Sequence, residues 1–228
     1  MKVYRTGIVP LDVQLEGGIP GGTVLLILEE PGAGGDVFSY HFAVEGAKIG
    51  EKVIYISTDD YEKDLKRFLS LYFDKYQDFQ ILSFREQLQE KDPKGYLRKT
   101  VYDFLGKTKN VLCSEKFDRV ILNNLMFFFW KYPFEEVISL IEFFSDLSKE
   151  NESAFILLMT KGILESRQET AVKHYCDGVI ELTLKELENE IQRRLKFIKM
   201  EGVVTPRIIM RYELTNKGIR MESTIRVL

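Results

Sequence analysis

The segment "GTVLLILEE", Gly22 to Glu30, most constrains what this chain can fold into. Its apolar run has no polar face, so as a strand it must be covered on both sides. That is the signature of a central strand in a parallel sheet flanked by helices. The small-residue turn "PGAGG" follows, and Asp36 to Gly50 then reads as a helix, with Asp36 near its start and Gly50 as its stop. The alternation continues. "KVIYIST", "FQILSF", "FDRVILNN" and "SAFILLMT" read as strands, and "DDYEKDLKRFLSLYF", Lys94 to Leu105 and "PFEEVISLIEFFSDLSKE" as helices, the last with Pro133 near its start. The tail is strand-like in "GVIELTL", "RLKFIKM" and "RIIMRYELT", while "KELENEIQRRLKF" fits a helix as well as a strand. This order predicts an α/β fold with a mostly parallel, twisted sheet and antiparallel strands at its C-terminal edge. No Pro/Gly/Ser-rich linker divides the chain, so one domain over residues 1–228 is expected.

Composition excludes some functions. The chain is 45% apolar and 29% charged, enough for a large core and a solvated surface. A formal net charge of -3 gives no global attraction for nucleic acid, and "RRLKFIK" is its only basic cluster, so a nucleic-acid partner is not expected. The N-terminus lacks an apolar signal region, and no apolar run approaches the ~18 residues a membrane span needs. A cytoplasmic protein without membrane insertion is expected. Cys113 and Cys176 have no metal-site spacing and read as reduced, mostly buried thiols, and no metal is expected. His41 and His174 read as structural. "LMFFFWKYPF", Leu125 to Phe134, reads as core in part, but so apolar a run at a strand end also fits an exposed patch for self-association or a partner protein.

"EEPGAGGDVF", Glu29 to Phe38, has the frame of a phosphate-binding loop, strand then Gly-rich turn then helix. The pattern for such loops is G-x-x-x-x-G-K-[ST], in which backbone N–H groups cradle phosphate, Lys neutralises it and Ser/Thr holds Mg²⁺. Here Glu29 stands at the first Gly, Gly34 at the second, Gly35 at the Lys and Asp36 at the Ser/Thr. The candidate nucleotide-binding stretch is therefore Glu29, Glu30, Pro31, Gly32, Ala33, Gly34, Gly35, Asp36 and Val37.

Over nearly its whole length the sequence resembles the KaiC-like branch of the RecA-type P-loop ATPases. "RTGIVPLDVQLEGGIPGGTVLLILEEPGAGG" is similar to that family's opening segment, which leads through "TGIPxLD" and "GGIPxG" into the phosphate loop. "AVEGAKIGEKVIYISTDD" is similar to its next helix and strand, "FDRVILNNL" to its Walker B strand, and "CDGVIELTL" and "RRLKFIKMEG" to its C-terminal strands. The resemblance implies a RecA-like fold, assembly with nucleotide between subunits, and an identifiable set of site positions. The family's pair of catalytic Glu falls on Asp59 and Asp60, its Walker B Asp on Asn123, and its trans-subunit Lys and Arg on Lys199 and Glu201. Asp59 and Asp60 also fit an N-cap for the helix after them, and Lys199 also fits a solvated strand residue.

These replacements weigh against phosphate. Losing the loop Lys removes a charge-assisted bond of roughly 1.5–3 kcal/mol. A carboxylate at Asp36 adds repulsion of about 3 kcal/mol at ~5 Å and an effective dielectric of ~20. Together they lower affinity by a factor of about 10³–10⁴. The expectation is a non-catalytic pseudo-ATPase, regulatory or scaffolding, needing no cofactor, with Asp36 capping the helix where phosphate would sit. Retained ATP or ADP binding with Mg²⁺ is the alternative, and a recombinase-like DNA-binding paralogue the second.

Overall fold

A computed structural model describes residues 2–86 and 97–222. A short pair, β1 (Val3–Tyr4) and β2 (Ile19–Pro20), brackets helix α1 (Val9–Gln14). There follow β3 (Thr23–Glu29), α2 (Gly35–Lys48), β4 (Val53–Ser57), α3 (Glu62–Tyr72) and β5 (Gln80–Ser83). Then come α4 (Leu97–Ser114), β6 (Arg119–Asn123), α5 (Met126–Lys131), α6 (Phe134–Asn151), β7 (Ala154–Thr160) and α7 (Ser166–Tyr175). The chain closes with β8 (Gly178–Leu187), β9 (Glu190–Met200), β10 (Ile209–Thr215) and β11 (Gly218–Met221).

β3 to β11 make one nine-stranded sheet in the order β11-β10-β9-β8-β3-β7-β6-β4-β5. The pairs from β8 to β5 are parallel, and β8/β9, β9/β10 and β10/β11 are antiparallel. The architecture is the α/β one expected, antiparallel edge included. β3 is covered on both faces, as its apolar run requires. Leu25 and Ile27 join the core shared with α2, while Val24, Leu26 and Leu28 join the core built with α4, α5 and α6. Helix α2 is itself enclosed, with Phe38 and Phe42 fully buried between the sheet and the N-terminal segment around Tyr4, Leu11 and Leu15.

The fully buried Arg119 ties these layers together. Its Nη1 donates to the Arg5 carbonyl at 2.6 Å and the Phe42 carbonyl at 2.7 Å, and its Nε to Glu51 at 2.5 Å. A Cβ at Gly46 of α2 would lie 2.4 Å from its Cδ, so only glycine lets the helix pass.

Several expectations change. "KELENEIQRRLKF" is a hairpin: Leu187 pairs with Glu190 across a turn at Glu188 and Asn189, Glu188 taking φ 50°. Leu195 and Phe197 are buried while Lys196 is exposed, the two-residue period of a strand. The fourth helix continues past Leu105 to Ser114, and residues 94–96 lie outside the described residues. Cys176 is buried but Cys113 is exposed, because α4 turns that face to solvent. His41 is structural, its Nε2 accepting the Ile219 N–H at 2.9 Å. No helix among the described residues is long and apolar enough to cross a membrane.

Candidate functional site

The carboxyl ends of β3, β4 and β6 open on one side of the sheet, where α/β proteins place their sites. Glu29 ends β3, Asp59 and Asp60 follow β4, and Asn123 ends β6. The sheet thus gathers Glu29, Gly32, Asp36, Asp59, Asp60, Asn123 and Asn124 around a recess of about 320 Å³. A second recess, about 420 Å³, shares Glu29, Gly32, Asp36 and Asp60 and continues to Tyr40, Phe68 and Tyr72. Among the described residues, no lysine or arginine lines either.

The Gly-rich turn keeps its frame. Gly32 and Gly34 take φ 87° and 98°, values glycine adopts without cost, and Gly34 is the N-cap of α2 with no side-chain cap. The turn is held from the C-terminal strands. Tyr212 donates its hydroxyl to the Ala33 carbonyl at 2.7 Å, Arg193 its Nε to the Gly32 carbonyl at 3.3 Å, and the Leu184 N–H goes to the Glu30 carboxylate at 2.7 Å. A Cβ at Gly34 would meet Leu214 at 2.8 Å.

The carboxylate at the helix start is Glu29, not Asp36. Glu29 Oε2 accepts the Gly35 N–H at 2.7 Å. Asp36 lies in the first turn of α2 and faces the other way, its Oδ1 accepting Asn123 Nδ2 at 2.8 Å. The expected Asp36 cap is therefore replaced by a Glu29 contact. Glu29 can reach because it ends β3 directly beneath the turn, whereas Asp36 has already entered the helix and points toward β6. Asn123 Nδ2 also donates to the Tyr55 hydroxyl at 3.1 Å, which pairs with Ser39 Oγ at 2.8 Å. Ser39 in turn donates to the Asp36 carbonyl at 2.7 Å, closing a ring of polar groups.

Burial and mutual repulsion act on these acids together. Burial, then the Asp36 charge, pushes Glu29 up to about 7, against the opposing pull of the Gly35 and Gly34 amides. Burial raises Asp36 as well, opposed by the Asn123 bond and reinforced by Asp59. Asp60 is raised by burial and by Asp36, Asp59 and Asp64. The N-cap reading of Asp59 and Asp60 does not hold: the N-cap of α3 is Tyr61, without a side-chain cap bond. The Asp60 N–H binds Ser57 Oγ at 3.0 Å instead. Among the described residues no group of three or more His, Cys, Asp or Glu side chains could hold a metal ion.

Lys199 and Glu201 lie apart from this cleft within the chain. Lys199 pairs with Val179 near the start of β8, and the Glu201 N–H binds the Asp177 carbonyl, level with the beginning of β3. Lys199 donates to the His174 carbonyl at 3.0 Å, so it is less free than a solvated strand lysine. Of the run Leu125 to Trp130, Leu125, Met126, Phe127 and Phe128 are buried and Trp130 is 67% exposed. The apolar patch expected over Leu125 to Phe134 narrows to Trp130 and the partly buried, stacked rings of Phe129 and Phe134, because α5 packs its other face on α4 and α6. Sequence reasoning missed the Tyr55–Ser39 ring and the Tyr212 tether. The signal for Glu29 was present: an acid at the pattern's first Gly, six residues before a Gly at the Lys position.

A mainly parallel α/β sheet whose Gly-rich strand-to-helix turn faces the ends of its central strands defines the RecA-type P-loop class. Within that class, the family model described as "ATPase: KaiC" matches residues 4–224, and the chain belongs to this family. It is similar to a UPF0273 protein of Thermotoga maritima, 25% identical over 230 residues, covering 96% of this chain and 95% of the relative. It is likewise similar to a UPF0273 protein of Pyrococcus furiosus, 23% identical over 231 residues, covering 96% and 93%. The crystal structure of the KaiC-like protein PH0186 from Pyrococcus horikoshii has the same fold, with a TM-score of 0.78 at 22% identity over 97% of this chain and 99% of that one.

Proposed function

We propose that this KaiC-family domain does not hydrolyse ATP and acts as a regulatory or scaffolding subunit through contacts with other proteins. The observation that carries the reading is the charge of the cleft. Glu29, Asp36, Asp59 and Asp60 line it, and no cationic side chain does so among the described residues. Phosphoryl transfer depends on cations and donors that stabilise charge spread over phosphate oxygens. A nucleoside triphosphate with Mg²⁺ does not fit these residues: Glu29 takes the Gly35 N–H, and Asn123 donates a hydrogen bond to Asp36 where a metal would need a shared acceptor. Protein contacts are favoured by apolar side chains left in solvent. Val9 and Val13 share one face of α1, exposed at 72% and 69%. Ile198 and Ile209 are exposed on adjacent strands β9 and β10.

The alternative, retained ATP or ADP binding, draws on the preserved left-handed Gly32 and Gly34 and on the open recesses beside them. Two measurements test the reading. Steady-state assays should find negligible ATP hydrolysis, and calorimetric titration of Mg²⁺-ATP should find no site tighter than millimolar. Turnover abolished by Asp59→Ala would overturn the non-catalytic reading. Tight binding without turnover would favour the alternative.

A further inference from the structure

We propose that Glu29 is an intramolecular occupant of the phosphate nest, its carboxylate taking the backbone N–H at the start of α2 that an oxyanion would need, with Gly35 as the residue that makes room for it. This deepens the reading above, rests on the same cleft, and concerns how that cleft excludes phosphate.

The geometry has two parts. Left-handed Gly34 turns successive amides toward the end of β3, the arrangement that forms an anion-binding concavity. Gly35 donates to Glu29 Oε2 at 2.7 Å, and the Gly34 amide also favours the charged carboxylate. The second part is steric. A Cβ at position 35 would lie 2.7 Å from Glu29 Cδ and Oε1 and 2.8 Å from Oε2. Any side chain there, the pattern's lysine included, meets the Glu29 carboxylate. Glu29 and Gly35 are therefore one device. A tethered anion competes with a free one at an effective concentration on the order of millimolar or above.

The charged and titratable groups facing Glu29 come from several elements. Asp36 stands on α2, Asp59 and Asp60 follow β4, and Tyr212 stands on β10, with Arg193 of β9 acting on Tyr212 rather than on Glu29. Lys161, after β7, pairs with Glu181 at 2.8 Å. None of the acids among them reaches the Gly35 amide, which Glu29 holds.

The test separates occupancy from charge. Metal-free pyrophosphate is titrated by calorimetry into wild-type protein, E29Q and E29G. E29Q removes the charge but leaves a side-chain oxygen in the nest, whereas E29G vacates it. E29G should bind at least tenfold more tightly than E29Q, and wild type most weakly. Equal affinities for E29G and E29Q would overturn the proposal. A second readout does not depend on E29G folding. The Gly35 amide resonance of the wild type should shift with pH at a midpoint well above the ordinary carboxylate range, and shift much less in E29Q, where the neighbouring Asp36 still titrates. A Gly35 amide that titrates alike in both would also overturn it. The two readings fail separately: ATP turnover by wild type sinks the non-catalytic one, and E29G gaining nothing over E29Q sinks the nest alone.

Discussion

Asp36 and Asn123 hold one hydrogen bond across the cleft, and its donor is the side-chain amide on the strand. In N123D that donor becomes a second carboxylate at hydrogen-bond distance. The variant should lose about 2–4 kcal/mol at neutral pH. The loss should fade on acidification, as the pair comes to share a proton. Chemical denaturation at several pH values checks this. Glu29 gives the second residue-scale prediction. Its pKa in the fold is about 7 against 4.5 for the free side chain. Between those values the folded protein holds a proton that the unfolded chain has lost. The Glu29 contribution to stability is therefore greatest below pH 4.5 and falls as pH rises through about 7. E29Q should raise stability above pH 7 by about 1–3 kcal/mol, flattening but not abolishing the pH dependence, because Asp36 and Asp60 are raised in the same direction. An unchanged profile would count against a buried, ionising Glu29. Sequence showed which acids stand at the loop, because pattern positions can be read directly. It did not show which of them meets the helix start, because that depends on where the end of β3 points its last side chain.

Apolar runs made most elements legible. "VLLIL", "VIYIS" and "RVILN" are buried strands because a two-sided sheet demands continuous apolarity. Where periodicity was ambiguous, pairing decided. Lys185 to Phe197 became a hairpin because β9 gains partners on both sides, β8 and β10, which a helix there would forfeit. The short helix α5 was the hardest to read, since a run such as "LMFFFW" signals burial or a sticky surface equally well. Phe128 sits among Phe104, Phe127 and Tyr132, with ring centroids 5.3–6.5 Å away. F128D would bury an unpaired carboxylate at a cost of several kcal/mol, and circular dichroism should show it unfolded or melting far lower. W130D, at a site 67% exposed, should stay within about 0.5 kcal/mol of wild type. Equal tolerance of both changes would contradict this packing of α5.

At the scale of the whole molecule, the turn near the N-terminal third is fastened by residues from the C-terminal strands. Tyr212 reaches the Ala33 carbonyl, Arg193 the Gly32 carbonyl, and Leu214 closes over Gly34. Y212F should cost about 1 kcal/mol and speed hydrogen exchange at the Gly34 and Gly35 amides more than at the β6 core. Uniform acceleration would mean that the tether acts only through global stability. This wiring was invisible in the sequence, because nothing local links position 33 to position 212. It also sets an order in time. A chain made from its N-terminus has β3 and the turn in hand long before β9 and β10 leave the ribosome. Contacts this distant in sequence are slow to close. The cleft is thus among the last features finished, and a nascent chain stalled before β10 carries the loop without its fastening.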